Sequence, residues 1–471
     1  MLRIYNSLSK EKEDLVSLVP GKIGLYVCGM TVYDLCHIGH GRIFVVFDMV
    51  TRFLRYAGFD VTYVRNITDI DDKIINRANE NQEPIEQLTE RTIQAMVEDE
   101  TALGVLRPDI EPRATKHIPS IINMIEKLIK ADYAYVATNG DVYYAVKNFV
   151  SYGELAHQDM NNLRAGHRVD VLEEKRDPLD FVLWKLAKPK EPSWDSPWGA
   201  GRPGWHIECS AMSTATLGPH FDLHGGGLDL VFPHHQNEIA QSEGANGCQM
   251  VNTWMHVGFV QVNQDKMSKS LGNFFTIRDV LKTYDPEVVR YFMLASHYRS
   301  PINYSSENLA SAELALQRFY LCLRDCPEAA EPVGTQYESR FVAAMEDDFN
   351  TPVAIAVLFD MAREVNRLKK QGKRNEAASV ATQVKRLGGV LGLLQRDALT
   401  FLQAGVSAEQ RAEIEKFIAE RAQARANKEW SQADQLRDAL HQMGIEVEDR
   451  AKETIWHRKI EEETDAELRI E

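Results

Sequence analysis

Ile23-Gly-Leu-Tyr-Val-Cys28 followed by Gly29, then His37-Ile-Gly-His40, then an apolar run to Tyr56, then Gly58 and Val61-Thr-Tyr-Val64: this stretch decides the fold. The first segment is short, apolar and closed by a glycine, which is the pattern of a strand. From about Gly41 to Tyr56, Phe44, Phe47, Val50, Phe53 and Leu54 recur at helical spacing. Gly58 ends that helix, and Val61–Val64 reads as a second strand. Strand, helix and strand joined by short connections predict a βαβ unit in a parallel sheet. The histidine run therefore falls at a strand-to-helix turn. An open α/β sheet places its ligand crevice there, with helix N-terminal amides facing anions.

A second polar run, Lys266-Met-Ser-Lys-Ser270, lies far downstream in a loop-like stretch. Imidazoles at a helix start and lysines on a loop that closes on binding clamp a triphosphate from two sides. His37 and His40 would donate to phosphate oxygens, and Lys266 and Lys269 would neutralise a pyrophosphate leaving group. That is the chemistry of forming an acyl-adenylate from ATP and a carboxylic acid. Either run alone also reads as surface histidines or a solvated loop. The two in this order point to ATP, with Mg2+ held largely by phosphates and water.

The chain of 471 residues is too long for one core and predicts several domains. Its longest apolar stretch near the N-terminus, Ile43–Phe47, is interrupted by Asp48, and none approaches the about 18 apolar residues of a membrane helix. The N-terminus has no basic-then-apolar signal pattern, so the expected location is cytoplasmic. Six cysteines in a chain of this size do not make a disulfide framework and are free, catalytic or metal-bound. A net charge of −15 argues against general polyanion binding but not against one local basic face.

From about Thr115 to Gly201 the pattern changes to a helix around His117–Ala131, short strands such as Asp141–Val146, and a Pro- and Trp-rich loop, Lys188–Trp198. This reads as an insertion splitting the first domain. Gly204-Trp-His-Ile-Glu-Cys209 then resumes the motif-dense character. Beyond about Thr276 the pattern is nearly all helical. Asp285-Pro286 forms an N-cap and N1 pair, and Leu309–Cys322, Thr351–Lys369 and Ala377–Leu394 are amphipathic. The segment after Ser407 is highly charged, and its closing Glu461–Glu463 run reads as a solvated tail.

Cys28 ends the first strand, Cys209 follows in the tryptophan motif, and His234 and Glu238 stand four apart in Pro233-His-His-Gln-Asn-Glu238. Two thiolates, an imidazole and a carboxylate suit four-coordinate zinc. The spacing is scattered, with no Cys-x-x-Cys pair. The two cysteines also read as ordinary core packing, and His206, His224, His235, Cys36 and Cys248 are competing ligands.

Cys28–Asp34, His37–His40, Asn66-Ile-Thr-Asp-Ile-Asp-Asp-Lys73, Gly204–Cys209, His224–Gly227, Phe232–Glu238 and Lys266–Ser270 occur in an order that resembles the cysteinyl-tRNA synthetase family of class I aminoacyl-tRNA synthetases. The resemblance spans the whole chain. It implies an α/β chain with a Rossmann-type parallel-sheet catalytic domain and an α+β insertion, then an α-helical bundle and a small anticodon-binding domain. The expected divisions are 1–116 and 201–248 for the two catalytic halves, 117–200 for the insertion, 249–306 for a linking region, 307–404 for the bundle and 405–471 for the anticodon-binding domain and tail.

The resemblance further implies one zinc ion held by Cys28, Cys209, His234 and Glu238 in the amino-acid pocket. Zinc takes a thiolate far better than a hydroxyl, which would separate cysteine from serine where an apolar pocket separates near-isosteres poorly. Gln236 stands where many members carry Glu. Thr68, Trp205, His224 and Asp229 are candidates for enclosing the substrate, with Trp205 as a wall and Asp229 accepting from the α-ammonium. Each also has a structural reading as core, backbone-satisfied or capping residue. The run Asp69, Asp71, Asp72 reads as helix N-terminal charge rather than a Mg2+ site.

Near the C-terminus, Arg421, Arg425, Lys428 and Arg437 surround Trp430, with Asp434 beyond it. Pattern alone favours Trp430 in a small core. The resemblance instead implies that Arg425, Trp430 and Asp434 contact unstacked anticodon bases. The implied partners are ATP, L-cysteine and tRNA(Cys), with no membrane, and the implied state is a monomer. Two rival readings are a ligase that passes activated cysteine to an amine on a sugar-like acceptor, and a non-catalytic zinc-stabilised RNA adaptor. The segment after Ser407 weighs against the first, and the intact His37, His40, Lys266 and Lys269 against the second.

Overall fold

The computed structural model describes residues 1–157, 174–189, 191–262, 265–266, 275–327, 329, 335–450 and 453–459, with backbone alone at 265, 266 and 335. Met267–Ser270 of the lysine motif and the Glu461–Glu463 run lie outside the described residues. A short hairpin, β1 (Arg3–Asn6) and β2 (Glu11–Asp14), precedes β3 (Lys22–Val27), α1 (Ile38–Tyr56) and β4 (Asp60–Arg65). The strand–helix–strand unit is as the sequence reads, but α1 begins earlier than the apolar run suggests, at Ile38. Helices α2 (Asp72–Asn81) and α3 (Ile85–Ala102) follow. Asp71 caps α2 by accepting from Lys73 N, and Asp69 accepts from Thr115 N and Oγ1. Both carboxylates are thus occupied by capping and turn contacts.

The insertion packs α4 (Ile118–Lys130) on a four-stranded antiparallel sheet, β5 (Ala134–Val136), β6 (Val142–Tyr144), β7 (Phe181–Leu186) and β8 (Gly201–Pro203). Its own core includes Ile121, Ile125, Tyr144, Leu183 and Trp184. The chain returns through α5 (Trp205–Leu217), β9 (Phe221–Gly227), α6 (Gln236–Asn246) and β10 (Val251–Val257). Strands β10, β9, β3 and β4 form one parallel sheet in that order. The sheet therefore continues past residue 248 into β10. Its strand order runs outward from β3 in both directions, so the reversal lies between β3 and β9, where such a sheet opens its crevice.

Strand β9 ends in Gly225, Gly226 and Gly227. A Cβ at Gly225 would overlap the Phe47 ring of α1, so the glycine lets helix and strand approach closely there. Phe47 itself is fully buried, worth roughly 1.5–3 kcal/mol.

Next come β11 (Val260–Val262), β12 (Asp265–Lys266), α7 (Ile277–Leu281), α8 (Pro286–Leu294) and β13 (Ile302–Tyr304). β11 pairs antiparallel with β12 and parallel with β13. Asp285 caps α8 by accepting from Glu287 N, with Pro286 at N1. The bundle comprises α9 (Ser306–Leu323), α10 (Thr335–Glu346), α11 (Thr351–Lys370), α12 (Arg374–Val390) and α13 (Ala398–Leu402). Its core is continuous with that of the parallel sheet and α1.

A last small unit has α14 (Ala408–Ala426), α15 (Trp430–Gln442) and the hairpin β14 (Ile445–Asp449) and β15 (Thr454–Arg458). Ser407 and Gln410 form its capping box. Its core is Ile414, Leu440, Ile445 and Trp456. Among the described residues, no helix is long and apolar enough to cross a membrane.

Candidate active site

The switch point carries a cavity of about 330 Å³, whose walls include Cys28, Thr31, His37, His40, Trp205 and Asp229. Cys28 follows β3 and is fastened there by donating its N–H to Gly225 O of β9 (3.0 Å). Cys209 sits on α5. His234 lies in the irregular helical turn Val231–His235 that runs into α6, and Glu238 lies on α6 itself. Four ligand atoms, one from each of Cys28, Cys209, His234 and Glu238, lie within 4.8 Å of one another, all buried.

The two sulfurs are 3.7 Å apart, Cys28 Sγ is 3.2 Å from Glu238 Oε1, and His234 Nε2 is 3.1 Å from the same oxygen. Donors on a tetrahedral zinc ion stand about 3.3–3.8 Å from one another, given metal–ligand bonds of about 2.0–2.3 Å. The donor set and its spacing fit zinc.

The electrostatics of the cluster are those of a cation site. Burial pushes the Cys28 thiol well above its ordinary value, and Cys209 and Glu238 push it further. The hydrogen bond from Cys28 pulls Cys209 down to about 6. Burial works against ionising Glu238, but His224 and His234 outweigh it and hold that carboxyl well below the usual range. Burial also works against charging His234, yet Cys209 and Glu238 hold it up at about 10. Thiols and a carboxylate thus compete for one imidazolium in a closed space, which a divalent cation would relieve.

Around this set stands a second layer. His224 Nε2 is 2.9 Å from Glu238 Oε2, and His206 Nδ1 is 2.9 Å from His234 Nδ1. Burial first, then His234, brings His206 down to about 3, which keeps it neutral beside its neighbour. His235 meets His256, and His256 meets Ser7 Oγ.

Cys28, His224, His235 and Glu238 form an alternative four-donor group. It offers one sulfur instead of two, and its His224 is already committed to the carboxylate. Cys36 is instead buried in the main core beside Met30, and Cys248 lies away at Pro219. The sequence reading did not single out His256 or Trp254. Both are on β10 two residues apart, so they share one face, and the Trp254 ring stacks on His224.

Trp205, the first residue of α5, is 39% exposed and lies over His234 with ring centroids 4.3 Å apart. It bridges the cluster and the open cavity. Asp229 is exposed on the cavity wall. Thr68 is buried one layer behind, its backbone bridged to Thr31. Its hydroxyl lies 3.3 Å from Asn66 Nδ2. Gln236 is fully buried and accepts from Leu155 N of the insertion (3.0 Å), so it ties the insertion to α6.

On the opposite wall, His37 is the N-cap of α1. Its Nδ1 accepts from Gly39 N and His40 N, while His40 Nδ1 accepts from His37 N. A backbone N–H only donates, so each ring carries its proton on Nε2 and presents a donor there. Burial, then His37, holds His40 well below its ordinary value, so that ring stays neutral. The two rings stack with centroids 3.6 Å apart.

This geometry corrects one expectation. The first amides of α1 do not face an anion: Gly39 and His40 donate to His37, and Ile38 donates to Phe275 O (3.1 Å). The donors offered are imidazoles.

Lys266 ends β12, its backbone paired with Gln261; its side chain and the whole of Lys269 lie outside the described residues. The far flank of that segment is pinned to the histidine turn. His37 pairs with Thr276, and Ile277 N donates to Cys36 O (2.9 Å). Backbone pairing thus joins the residues that follow the lysine motif to the histidine turn.

At the far end of the chain, Trp430 is 60% exposed at the first turn of α15. The small core there uses Trp456 instead, which overturns the pattern-based expectation of a buried Trp430. Arg425 pairs with Asp449, and Asp434 with Arg437.

A parallel sheet with its crevice at the reversal, walled by a helix-start histidine pair, defines the class I aminoacyl-tRNA synthetase fold. Solved structures share it. Mycobacterium tuberculosis methionyl-tRNA synthetase in complex with methionyl-adenylate superposes with a TM-score of 0.55 at 15% identity, covering 81% of this chain and 91% of that one. A putative arginyl-tRNA synthetase from Campylobacter jejuni gives 0.53 at 12%, covering 80% and 94%.

Residues 14–314 match the family described as tRNA synthetases class I (C) catalytic domain, residues 340–395 the DALR domain, and residues 408–456 the cysteinyl-tRNA ligase anticodon binding domain. The Cysteine–tRNA ligase of Ectopseudomonas mendocina is 60% identical over 456 residues, 97% of this chain and 99% of that relative. That of Photorhabdus laumondii is 57% identical over 462 residues, 98% and 100%. The chain belongs to the cysteine–tRNA ligase family.

Proposed function

We propose that this protein activates L-cysteine with ATP and transfers the cysteinyl group to the 3′ end of tRNA(Cys), the activity for which its relatives are named. One observation carries the reading: Cys28 of the thiol–imidazole–carboxylate cluster, Trp205 lying over His234, and the His37/His40 turn line a single cavity. In the first step a cysteine carboxylate oxygen attacks the α-phosphorus, the bond to the β-phosphate bridging oxygen breaks, and pyrophosphate leaves. In the second a terminal ribose hydroxyl attacks the carbonyl and AMP leaves.

His37 and His40 donate from Nε2 to phosphate oxygens as charge develops. Lys266 and Lys269 neutralise the pyrophosphate, and Mg2+ accompanies ATP. Asp229 accepts from the α-ammonium, Trp205 walls the side-chain pocket, and Thr68 supports that pocket from behind.

Cys28, Cys209, His234 and Glu238 hold one Zn2+, with His224 orienting Glu238 and His206 orienting His234. Zinc, when bound, supplies a soft cationic site suited to a thiolate and poor for a hydroxyl. Arg425, Trp430 and Asp434 contact anticodon bases, with the exposed Trp430 as the stacking surface. The domain divisions given above, with β8 assigned to the insertion and β10 to the catalytic sheet, a monomeric state and a cytoplasmic location complete the reading.

Charging of total tRNA with labelled cysteine, and with labelled serine in parallel, tests it. Cysteine-only charging is the expected result. Cysteine-dependent ATP–pyrophosphate exchange without charging would move the acceptor to a non-tRNA amine, and the absence of both signals would overturn the adenylate chemistry itself.

A further inference from the structure

Arg42 lies on α1, two residues after His40, and its side chain is fully buried. One terminal nitrogen donates to Gly258 O and Phe259 O, both at 2.9 Å. The other donates to His297 O and Tyr298 O at 3.3 Å and to Ser300 O at 2.5 Å. All five acceptors are backbone carbonyls. Among the described residues no carboxylate lies within ion-pair distance of this guanidinium, and burial lowers it only to about 10, so it stays charged at neutral pH.

The carbonyls come from two separate segments. Gly258 and Phe259 immediately precede β11, whose antiparallel partner β12 carries Lys266. His297, Tyr298 and Ser300 precede β13, the parallel partner of β11. These segments cross so closely that a Cβ at Gly258 would stand 2.6 Å from both Arg299 O and Ser300 O. Gly258 N in turn donates to Tyr298 O, and Ile302 N to Phe259 O.

We infer that Arg42 is a positioning residue for adenylate formation: it fixes the histidine-bearing start of α1 and the β11–β12 strand pair that leads to Lys266 in one rigid frame. The inference rests on the reading that His40 and Lys266 act on the same triphosphate. A planar fork reaches both segments at once, whereas a lysine offers its donors from one point and can hold only one of them. An apolar residue would strip Gly258 O and Ser300 O of their guanidinium donor, while Phe259 O, His297 O and Tyr298 O keep backbone N–H partners.

The frame matters because a displacement of about 1 Å between groups acting on one transition state costs on the order of 100-fold in rate. Among the described residues, Arg42 and its five carbonyl partners make no hydrogen bond or ion pair to Cys28, Cys209, His234 or Glu238. Loss of Arg42 should therefore slow the chemical step without altering cysteine affinity or bound metal.

The test uses the full chain loaded with zinc, with Arg42→Lys, Arg42→Met and, as an independent way of opening the same crossing, Gly258→Ala. Single-turnover formation of cysteinyl-adenylate separates rate constant from amplitude, so a misfolded fraction lowers only the amplitude. Expected are rate constants lower by about 10- to 100-fold, smallest for Arg42→Lys, with cysteine affinity and zinc content at wild-type values. Gly258→Ala carries the test if Arg42→Met does not fold. A wild-type rate constant with only reduced amplitude or melting temperature would leave Arg42 merely structural and overturn the inference. A parallel loss of cysteine affinity would overturn it too. If the wild-type protein itself forms no cysteinyl-adenylate, the proposed function fails, and this inference falls with it.

Discussion

Glu238 at the sheet reversal and Asp449 in the C-terminal unit each gather several partners, under opposite conditions. Glu238 is fully buried and is shared by His224, His234 and Cys28. Asp449 is about a third exposed and faces Arg421 and Arg425. In the first place no water is available to replace a lost partner, so each group depends on the others and on whatever cation joins them. In the second, solvent reaches Arg425 and Asp449 and screens their pair, although Arg421 is buried. The buried hub suits selection of a small substrate by its chemistry. The exposed one suits a surface that a large partner covers, and Trp430 of the same unit is exposed as well.

The sharpest way to break this contrast is Cys209→Ser. It should lose bound zinc, read by metal analysis, and lower kcat/KM for cysteine in pyrophosphate exchange by more than ~100-fold, beyond what loss of an outer partner costs. Full zinc and normal selectivity against serine would show that the wrong donors had been chosen. Next in size is His224→Gln, which removes the imidazole from Glu238 Oε2 while keeping a hydrogen-bonding group. Zinc affinity in a chelator competition should fall ~10- to 100-fold.

Trp430→Ala should weaken tRNA binding by about tenfold, the scale of one lost base stack, and leave pyrophosphate exchange unchanged. An equal loss in both assays would tie Trp430 to folding instead. Arg425→Ala should cost the least, about 0.2–1 kcal/mol in unfolding of the C-terminal unit. Arg421 is the more buried of the two and retains its pair with Asp449. A larger loss would mean the exposed hub behaves like the buried one.

The βαβ unit was legible in the sequence because Phe44, Phe47, Val50, Phe53 and Leu54 keep helical period between two glycine-bounded strands. The second half of the sheet was not. β9 ends in three glycines, and β10 carries Trp254 and His256 on one face; neither shows plain apolar alternation, because the opposing ring of Phe47 takes the place of missing side chains and the histidines pair with one another. The histidine pair was legible as a motif, yet its capping role was not, since histidine is outside the usual N-cap set and so pushed the apparent helix start to Gly41. The donor set of Cys28, Cys209, His234 and Glu238 was readable from residue type as one candidate among several, and only the family pattern favoured it over its competitors. Its members come from three separate segments, and spacing along the chain carries no trace of their convergence.

The pairing of His37 with Thr276 has a consequence for how the lysine motif operates. Lys266 is held at one end of its segment by β11, and Phe275 is held at the other by the amide of Ile38. Both flanks of that segment are thus fixed to the two sides of the histidine turn's own frame. Under the proposed role of Lys269, a segment held at both ends sets the effective concentration of its cation at the phosphates by chain length. Lengthening that segment with glycine and serine would dilute the cation without removing it.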